Sequence, residues 1–269
     1  MNHLTSPPLV SGVLTVADPR RLSLARKAVN NFIRQHYRPF ELVIVNGTET
    51  PVLTRPVDWS EEGGYQISEL KAEPGRNAAA MKNIGIHAAC GDWIIPVDDD
   101  DWFHPQRLLF QMACRVAQRP CLLACQLRVD ISEPVRGQTE EAVQPLLHLE
   151  HQEGGIPETI LFPRCDAEGR PWQYDAELNI GEHRELLARM SQQGCDPVAA
   201  PNWHTSLVNA MHWPLLSIAM YHGGNELSYE QFFPPQPSTD KRRIVPVGLN
   251  GTDIEQLKSV LQAYNFRIL

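Results

Sequence analysis

Apolar residues in the first half of the chain fall into short blocks that alternate between two periods. Leu9–Val16 (LVSGVLTV), Phe40–Val45 (FELVIV) and Trp93–Val97 (WIIPV) are near-continuous apolar runs of strand length. Between the first two, Leu22, Ala25, Val29, Phe32 and Ile33 recur at helical spacing, which predicts a helix ending near Gln35. Asp18-Pro19 supplies its cap and a proline at the first helical position. A weaker strand is predicted over Tyr65–Leu70. Glu73-Pro74-Gly75-Arg76 then reads as a loop feeding a helix from about Asn77 to Ala89. Pro105 opens a further helix with Leu108, Leu109, Met112 and Val116 expected to face inward. Strands of this kind alternating with helices predict an α/β fold with a parallel, right-handed, doubly wound sheet.

The second half is less regular. Leu122–Asp130 and Thr159–Arg164 read as strands, and Gln138–Glu153 between them as a polar excursion. Gly181–Met190 is predicted helical, with Leu186 and Leu187 inward. Phe233–Pro237 (FPPQP) reads as an arm or linker, and Ile244–Leu249 as a strand. Thr252-x-x-Glu255 is a capping box before Ile254, Leu257, Val260, Leu261 and Tyr264.

Composition narrows the partners. The formal charge of −8 repels phosphate backbones, so nucleic acid is not an expected ligand, although a small anion held by a local cation or metal remains compatible. Met1–Pro8 has neither the basic nor the apolar region of a secretory signal. The longest stretch free of Asp, Glu, Lys and Arg, 197–224, contains Asn202, His204, Asn209, His212 and prolines, and so is a poor membrane helix. Cys121-x-x-x-Cys125 has no matching second pair. The cysteines therefore read as reduced, mostly buried thiols, and the expected location is cytoplasmic.

Ligands of doubly wound sheets bind beyond the carboxyl ends of the strands. Three polar points are predicted there: Thr15–Asp18, Asn46–Thr48 and Asp98–Asp101. Four consecutive aspartates after an apolar strand repel one another and lack a cationic neighbour in sequence. In an extended chain Asp98 and Asp100 would share one side, as a hard divalent cation requires. The alternative is a solvated acidic turn beside the N-terminus of the Pro105 helix.

VSGVLTVADPRRLSLARKAV…FELVIVNGT followed by GRNAAAMKNIGIHAACGDWIIPVDDDDWFHPQRL resembles the nucleotide-sugar domain of family 2 glycosyltransferases over residues 9–112. The resemblance implies the glycosyltransferase A-type fold, a Rossmann-like, mostly parallel central sheet flanked by helices. It implies a DXD site in which Asp98, Asp99 and Asp100 hold Mn²⁺ or Mg²⁺ against the diphosphate of a sugar nucleotide, Asp100 most directly. Thr15 lies at the same rim. The implied organisation is a domain over 1–232, with a nucleotide-sugar half at 9–120 and an acceptor half at 121–232, followed by an arm and helix at 233–269.

Several positions depart from the family pattern. Asn46-Gly47 stands where a pair of aspartates is usual, so the nucleoside contact loses its charge. Lys82 replaces an arginine and keeps the charge without the bidentate fork. Arg76 is a second candidate for the phosphates, or else a solvated residue. LNIGEHRELLARM carries Glu182-His183 where the family places Glu-Asp, so His183 or Glu182 is the candidate general base. Alternatively, Glu182 simply favours a helix N-terminus and His183 is an exposed helix residue. His222, in Tyr221-His222-Gly223-Gly224-Asn225, is a candidate metal ligand or a structural histidine. Trp172 and Trp203 read as core residues, with stacking on a sugar as the alternative.

The function the resemblance implies is metal-dependent transfer of a sugar from a nucleotide-diphosphate sugar to an acceptor hydroxyl, with inversion. A catalytically silent sugar-nucleotide-binding or scaffold protein is the alternative.

Overall fold

The apolar runs pair as predicted in the computed structural model, which describes residues 6–54, 64–130, 147–200, 217–221 and 242–246. Strands β1 (Val10–Val16), β2 (Phe40–Asn46), β3 (Tyr65–Lys71) and β4 (Trp93–Val97) form a parallel set in the order β3-β2-β1-β4. Their side chains alternate between two cores. Leu14, Leu42, Ile44, Ile95 and Val97 pack beneath α1 (Leu22–Phe32) and α3 (Arg107–Cys114). Val13 and Ile94 pack with α2 (Ala78–Ala88) and α4 (Glu182–Gln192), and Val43 and Val45 with Met81 of α2. Leu14, Ile44 and Ile95 are wholly buried. Each such side chain contributes about 1.5–3 kcal/mol through burial.

α3 corrects the sequence reading in one respect. It begins at Arg107, two residues after Pro105, and buries Arg107, Leu108, Gln111 and Met112. Leu109 therefore lies on the opposite face and Val116 lies beyond the helix end, and both are exposed.

The second half departs further from a parallel sheet. β7 (Leu147–Pro163) runs antiparallel to β4 at its end, through Trp93↔Pro163 and Ile94↔Phe162, and antiparallel to β6 (Cys121–Asp130) along most of its length. It thereby joins the parallel set to a second group. There β6 pairs with β8 (Val198–Ala199) and β9 (Ser217–Tyr221), while β9 pairs with β5 (Trp102–Phe103) and β7 with β10 (Arg242–Pro246).

The described part of the predicted polar excursion, 147–153, is thus strand. Glu150 sits opposite Gln126, is 1% exposed, and accepts from Gln126 Nε2 and Arg128 Nε at 2.6 Å each. Polar residues that satisfy one another across two strands hide the strand from a reading based on hydrophobicity.

Trp172 is 4% exposed within the second core, which leaves its ring face no access for a sugar. Among the described residues no helix is long and apolar enough to cross a membrane. Trp203, His222, the 233–237 arm and the 252–264 helix lie outside the described residues, as do residues 247–249 of the predicted 244–249 strand.

Candidate active site

β1, β2 and β4 end at one edge. The registers Val16↔Asn46 and Leu14↔Val97 bring Thr15, Asn46 and the start of the aspartate run to the same rim. Thr15 is half-buried there. The aspartates themselves do not continue the strand. The Asp101 amide turns back to the Asp98 carbonyl at 3.4 Å, and the chain then enters β5. This turn corrects the alternation expected of an extended run, because Asp98 is separated from Asp99 and Asp100, which act as a pair.

That pair has a cation the sequence reading did not single out. Arg21 Nη2 bonds Asp99 Oδ1 and, at 2.7 Å, Asp100 Oδ2. Arg21 ends the 3₁₀ turn Pro19–Arg21, which Asp18 caps by accepting from Arg20 N at 2.8 Å. Burial disfavours the Arg21 charge, but Asp100 and Asp99 hold its pKa well above the ordinary value. Burial and the neighbouring Asp100 push Asp99 up to about 8 against the pull of Arg21. Asp101 is also raised, by burial and then by Asp100 and Asp98, and it accepts a bond from the backbone of Met220. Arg107 lies behind it, fully buried, 3.6 Å over the Phe103 ring, with Nη1 on Ser217 Oγ at 3.2 Å. Burial brings Arg107 down to about 9, so it remains charged at neutral pH.

Asp98 faces the other way, toward Lys82. The helix bearing Lys82 starts at Asn77, whose side chain caps Ala80 N at 2.9 Å, and it lies close on β1 at Gly85. A Cβ at Gly85 would come within 2.3 Å of Val13 Cγ1, so a larger residue would lift the helix and carry Lys82 away from the rim. Lys82 is 3% exposed. Its Nζ lies 3.6 Å from Asp98 Oδ1, 2.9 Å from Glu182 Oε1 and 3.2 Å from His183 Nε2. Burial opposes the Lys82 charge, but Asp98 and Glu182 more than offset it and raise its pKa. Burial likewise opposes the Asp98 and Glu182 charges, and Lys82 holds both below the usual carboxylate range.

Glu182 and His183 open α4 just after Gly181, whose φ of +83° is the left-handed conformation that favours glycine. His183 is buried, not an exposed helix residue. Its ring is pinned at both nitrogens, by Lys82 at Nε2 and by the Tyr174 hydroxyl at Nδ1 at 3.0 Å. A lysine ammonium only donates, so Nε2 accepts and Nδ1–H donates to the Tyr174 oxygen. Burial and Lys82 bring His183 down to about 4, and the ring is neutral at physiological pH. Tyr174 is held in turn by Asn83 of α2, which accepts from its amide at 2.7 Å and donates to its carbonyl at 2.9 Å. No sequence pattern pointed to Tyr174. The Arg20-Arg21 doublet beside the first strand end was the available sign of Arg21.

Two other predicted residues have different placements. The Asn46 amide accepts from Thr48 N at 2.8 Å and donates to Thr50 O at 2.9 Å and to Glu69 Oε1 at 2.7 Å. Glu69 also receives Val52 N and Leu53 N, so the two side chains together fold the 47–53 loop. Arg76 is exposed and pairs with Glu73 at 2.6 Å.

The donor set suits a hard cation. Asp99 and Asp100 offer carboxylate oxygens, and the space between them already accommodates a guanidinium nitrogen. Among the described residues no three acidic, histidine or cysteine side chains form a closed cage. Among the described residues the pair would thus leave part of a metal's coordination to other groups.

The fold has solved counterparts. A Pyrobaculum calidifontis mannosyltransferase, PcManGT, in complex with GDP-Man and Mn²⁺, aligns over 81% of this chain and 58% of its own, with TM-score 0.50 and 11% identity. Residues 1–349 of Staphylococcus aureus TarS in complex with UDP align over 80% and 60%, with TM-score 0.51 and 13% identity. By sequence, the putative colanic acid biosynthesis glycosyl transferase WcaA of Escherichia coli K12 is 29% identical over 108 residues, 38% of this chain and 36% of that protein. The uncharacterized glycosyltransferase YwdF of Bacillus subtilis 168 is 27% identical over 92 residues, 34% of this chain and 33% of that protein. The match thus spans about a third of each curated relative. The family model for glycosyl transferase family 2 matches residues 20–156, a stretch that runs from the Arg20-Arg21 turn through the aspartates and Lys82 into β7. With half of the chain matched by that model and the sheet that carries the site in the same fold, the chain belongs to glycosyl transferase family 2.

Proposed function

We propose that the protein transfers a sugar from a nucleoside-diphosphate donor to an acceptor hydroxyl, with Glu182 as the general base. The observation that carries this reading is the convergence of Asp98, Glu182 and His183 on one buried cation, Lys82. It joins the strand end assigned to the donor with the helix start assigned to the acceptor. Residues 9–120 supply the donor side and 121–232 the acceptor side.

In the reaction the acceptor oxygen attacks the anomeric carbon, its proton passes to the Glu182 carboxylate, and the bond from that carbon to the diphosphate oxygen breaks. A single displacement of this kind inverts the anomeric centre. Glu182 suits the role because Lys82 keeps it ionised, and a carboxylate bonded through one oxygen retains further lone pairs. His183 has both nitrogens committed, so it acts by holding Lys82 and the helix start in place. Asp99 and Asp100 would hold Mn²⁺ or Mg²⁺, which when bound neutralises the diphosphate as it leaves. Thr15 and the loop folded by Asn46 and Glu69 border the donor, whose nucleoside meets that loop's backbone instead of the committed Asn46 amide. His222 stays a candidate further ligand on the sequence resemblance alone.

The test is Glu182→Gln, assayed for sugar release and for donor binding. Turnover should fall by about 10²–10⁴-fold, while donor affinity stays within a small factor of the wild type. Undiminished turnover removes Glu182 from the role. Wild-type donor binding without any turnover toward water or sugar acceptors would favour the catalytically silent reading, which the engaged His183 ring also suits.

A further inference from the structure

We propose that Arg21 is an internal counter-cation of the aspartate pair that a divalent ion must displace, so that metal binds tightly only together with a nucleoside diphosphate. The proposal rests on the reading of Asp99 and Asp100 as the metal-binding pair.

A single nitrogen, Arg21 Nη2, bridges the two carboxylates through Asp99 Oδ1 and Asp100 Oδ2. A divalent ion shared by the same two groups would compete with that nitrogen for their oxygens. The guanidinium is brought there by a defined piece of backbone. Arg21 N bonds the Asp18 carbonyl at 2.9 Å, and the Asp18 side chain fixes the turn through Arg20. The Arg21 side chain is 22% exposed, and its Nε is buried with no partner among the described residues. Among the described residues its side-chain bonds are therefore those of the bridge.

A monovalent and a divalent cation a few ångströms apart repel each other strongly in a half-buried site, so the pair favours one at a time. A nucleoside diphosphate changes that balance in two ways. It supplies the oxygens that an open two-carboxylate site lacks, and it gives the displaced guanidinium a new anion to bond. Arg21 in this role is a positioning residue: it suppresses loading of the bare aspartates and couples metal binding to donor binding.

Mn²⁺ affinity read from the electron paramagnetic resonance of the free ion tests this, on wild type, Arg21→Ala, Arg21→Gln and Asp100→Ala, with and without saturating UDP or GDP. Thermal unfolding confirms that each variant is folded. Arg21→Ala should bind Mn²⁺ alone about tenfold or more tighter than wild type, as expected on removing a nearby like charge. Nucleotide should strengthen Mn²⁺ binding markedly in wild type and much less in Arg21→Ala. Arg21→Gln, which keeps a donor without the charge, should behave as Arg21→Ala does and decides the matter if the alanine variant does not fold. Asp100-dependent Mn²⁺ binding in wild type that is no tighter in folded Arg21 variants overturns the proposal while leaving the metal site standing. No Mn²⁺ binding by wild type or the Arg21 variants under any condition overturns the metal site and the proposal together.

Discussion

His183 shows how one residue changes meaning when its neighbours are known. A histidine on a helix start suggests a base with a pKa near neutrality, but here burial and Lys82 bring it down to about 4. Its ordinary pKa of 6.5 applies in the unfolded chain. Above about pH 6.5 neither state carries the proton and the folded state has its full stability. As pH falls toward 4 the unfolded state takes up a proton that the folded state refuses, so stability declines. The raised Asp99 and Asp101 act in the opposite direction over the same range, so the histidine is read from a comparison: between pH 7 and pH 5, chemical unfolding of His183→Asn should shift less toward instability than that of wild type. His104, also brought down to about 4 by burial, contributes in the same direction as His183 in both proteins. An unchanged pH dependence in His183→Asn would mean that the ring is not held neutral in the folded protein.

At the scale of elements, β6 and β7 are bound by a buried charge pair. Arg128 and Glu150 are 3% and 1% exposed, and Gln126 shares the same Glu150 oxygen. Removing one partner takes from the other a directly bonded opposite charge in the interior. Glu150→Leu should cost about 3–5 kcal/mol in urea unfolding, and adding Arg128→Met should recover part of it. If the double variant were as unstable as the sum of the singles, the two side chains would not be acting as a pair. The same pair explains why the start of β7 was illegible in the sequence. Hydrophobic alternation finds strands that face an apolar core, and Glu150 is buried by its partners instead. β5 and β8 were missed for a different reason: at two residues each they are too short for any period to show.

For the molecule as a whole, the ends of β1, β2 and β4 and the start of α4 are held in one arrangement, so a ligand that spans them should stabilise the fold by linkage. At about 100 times its dissociation constant, a nucleotide bound only by the folded state contributes about 2.7 kcal/mol. For a chain of this size that corresponds to a rise in Tm of about 5–10 °C. A thermal-shift panel of UDP, GDP, CDP and dTDP with Mn²⁺ should show such a rise for one of them and lose it on adding EDTA. A shift that survives EDTA would show that the nucleotide binds without the metal, which Arg21 and Lys82 would then have to explain as its cationic partners.

The parallel half of the sheet, the helices that cover it and the rim where its strands end were legible in the residues alone. Those features follow from continuous apolar runs and helical spacing, which act locally and leave a periodic trace. The DDDDW segment was legible as candidate chemistry because consecutive carboxylates are costly to place without a use, and GEHRELL through its resemblance to a family segment. Which groups meet is settled by folding: Asp99 and Asp100 share Arg21, Asp98, Glu182 and His183 share Lys82, and Asn46 is spent on its own loop. Partners separated by tens of residues leave no periodic signal, and the protonation state of a buried group is set by distances and burial that exist only once the chain has folded.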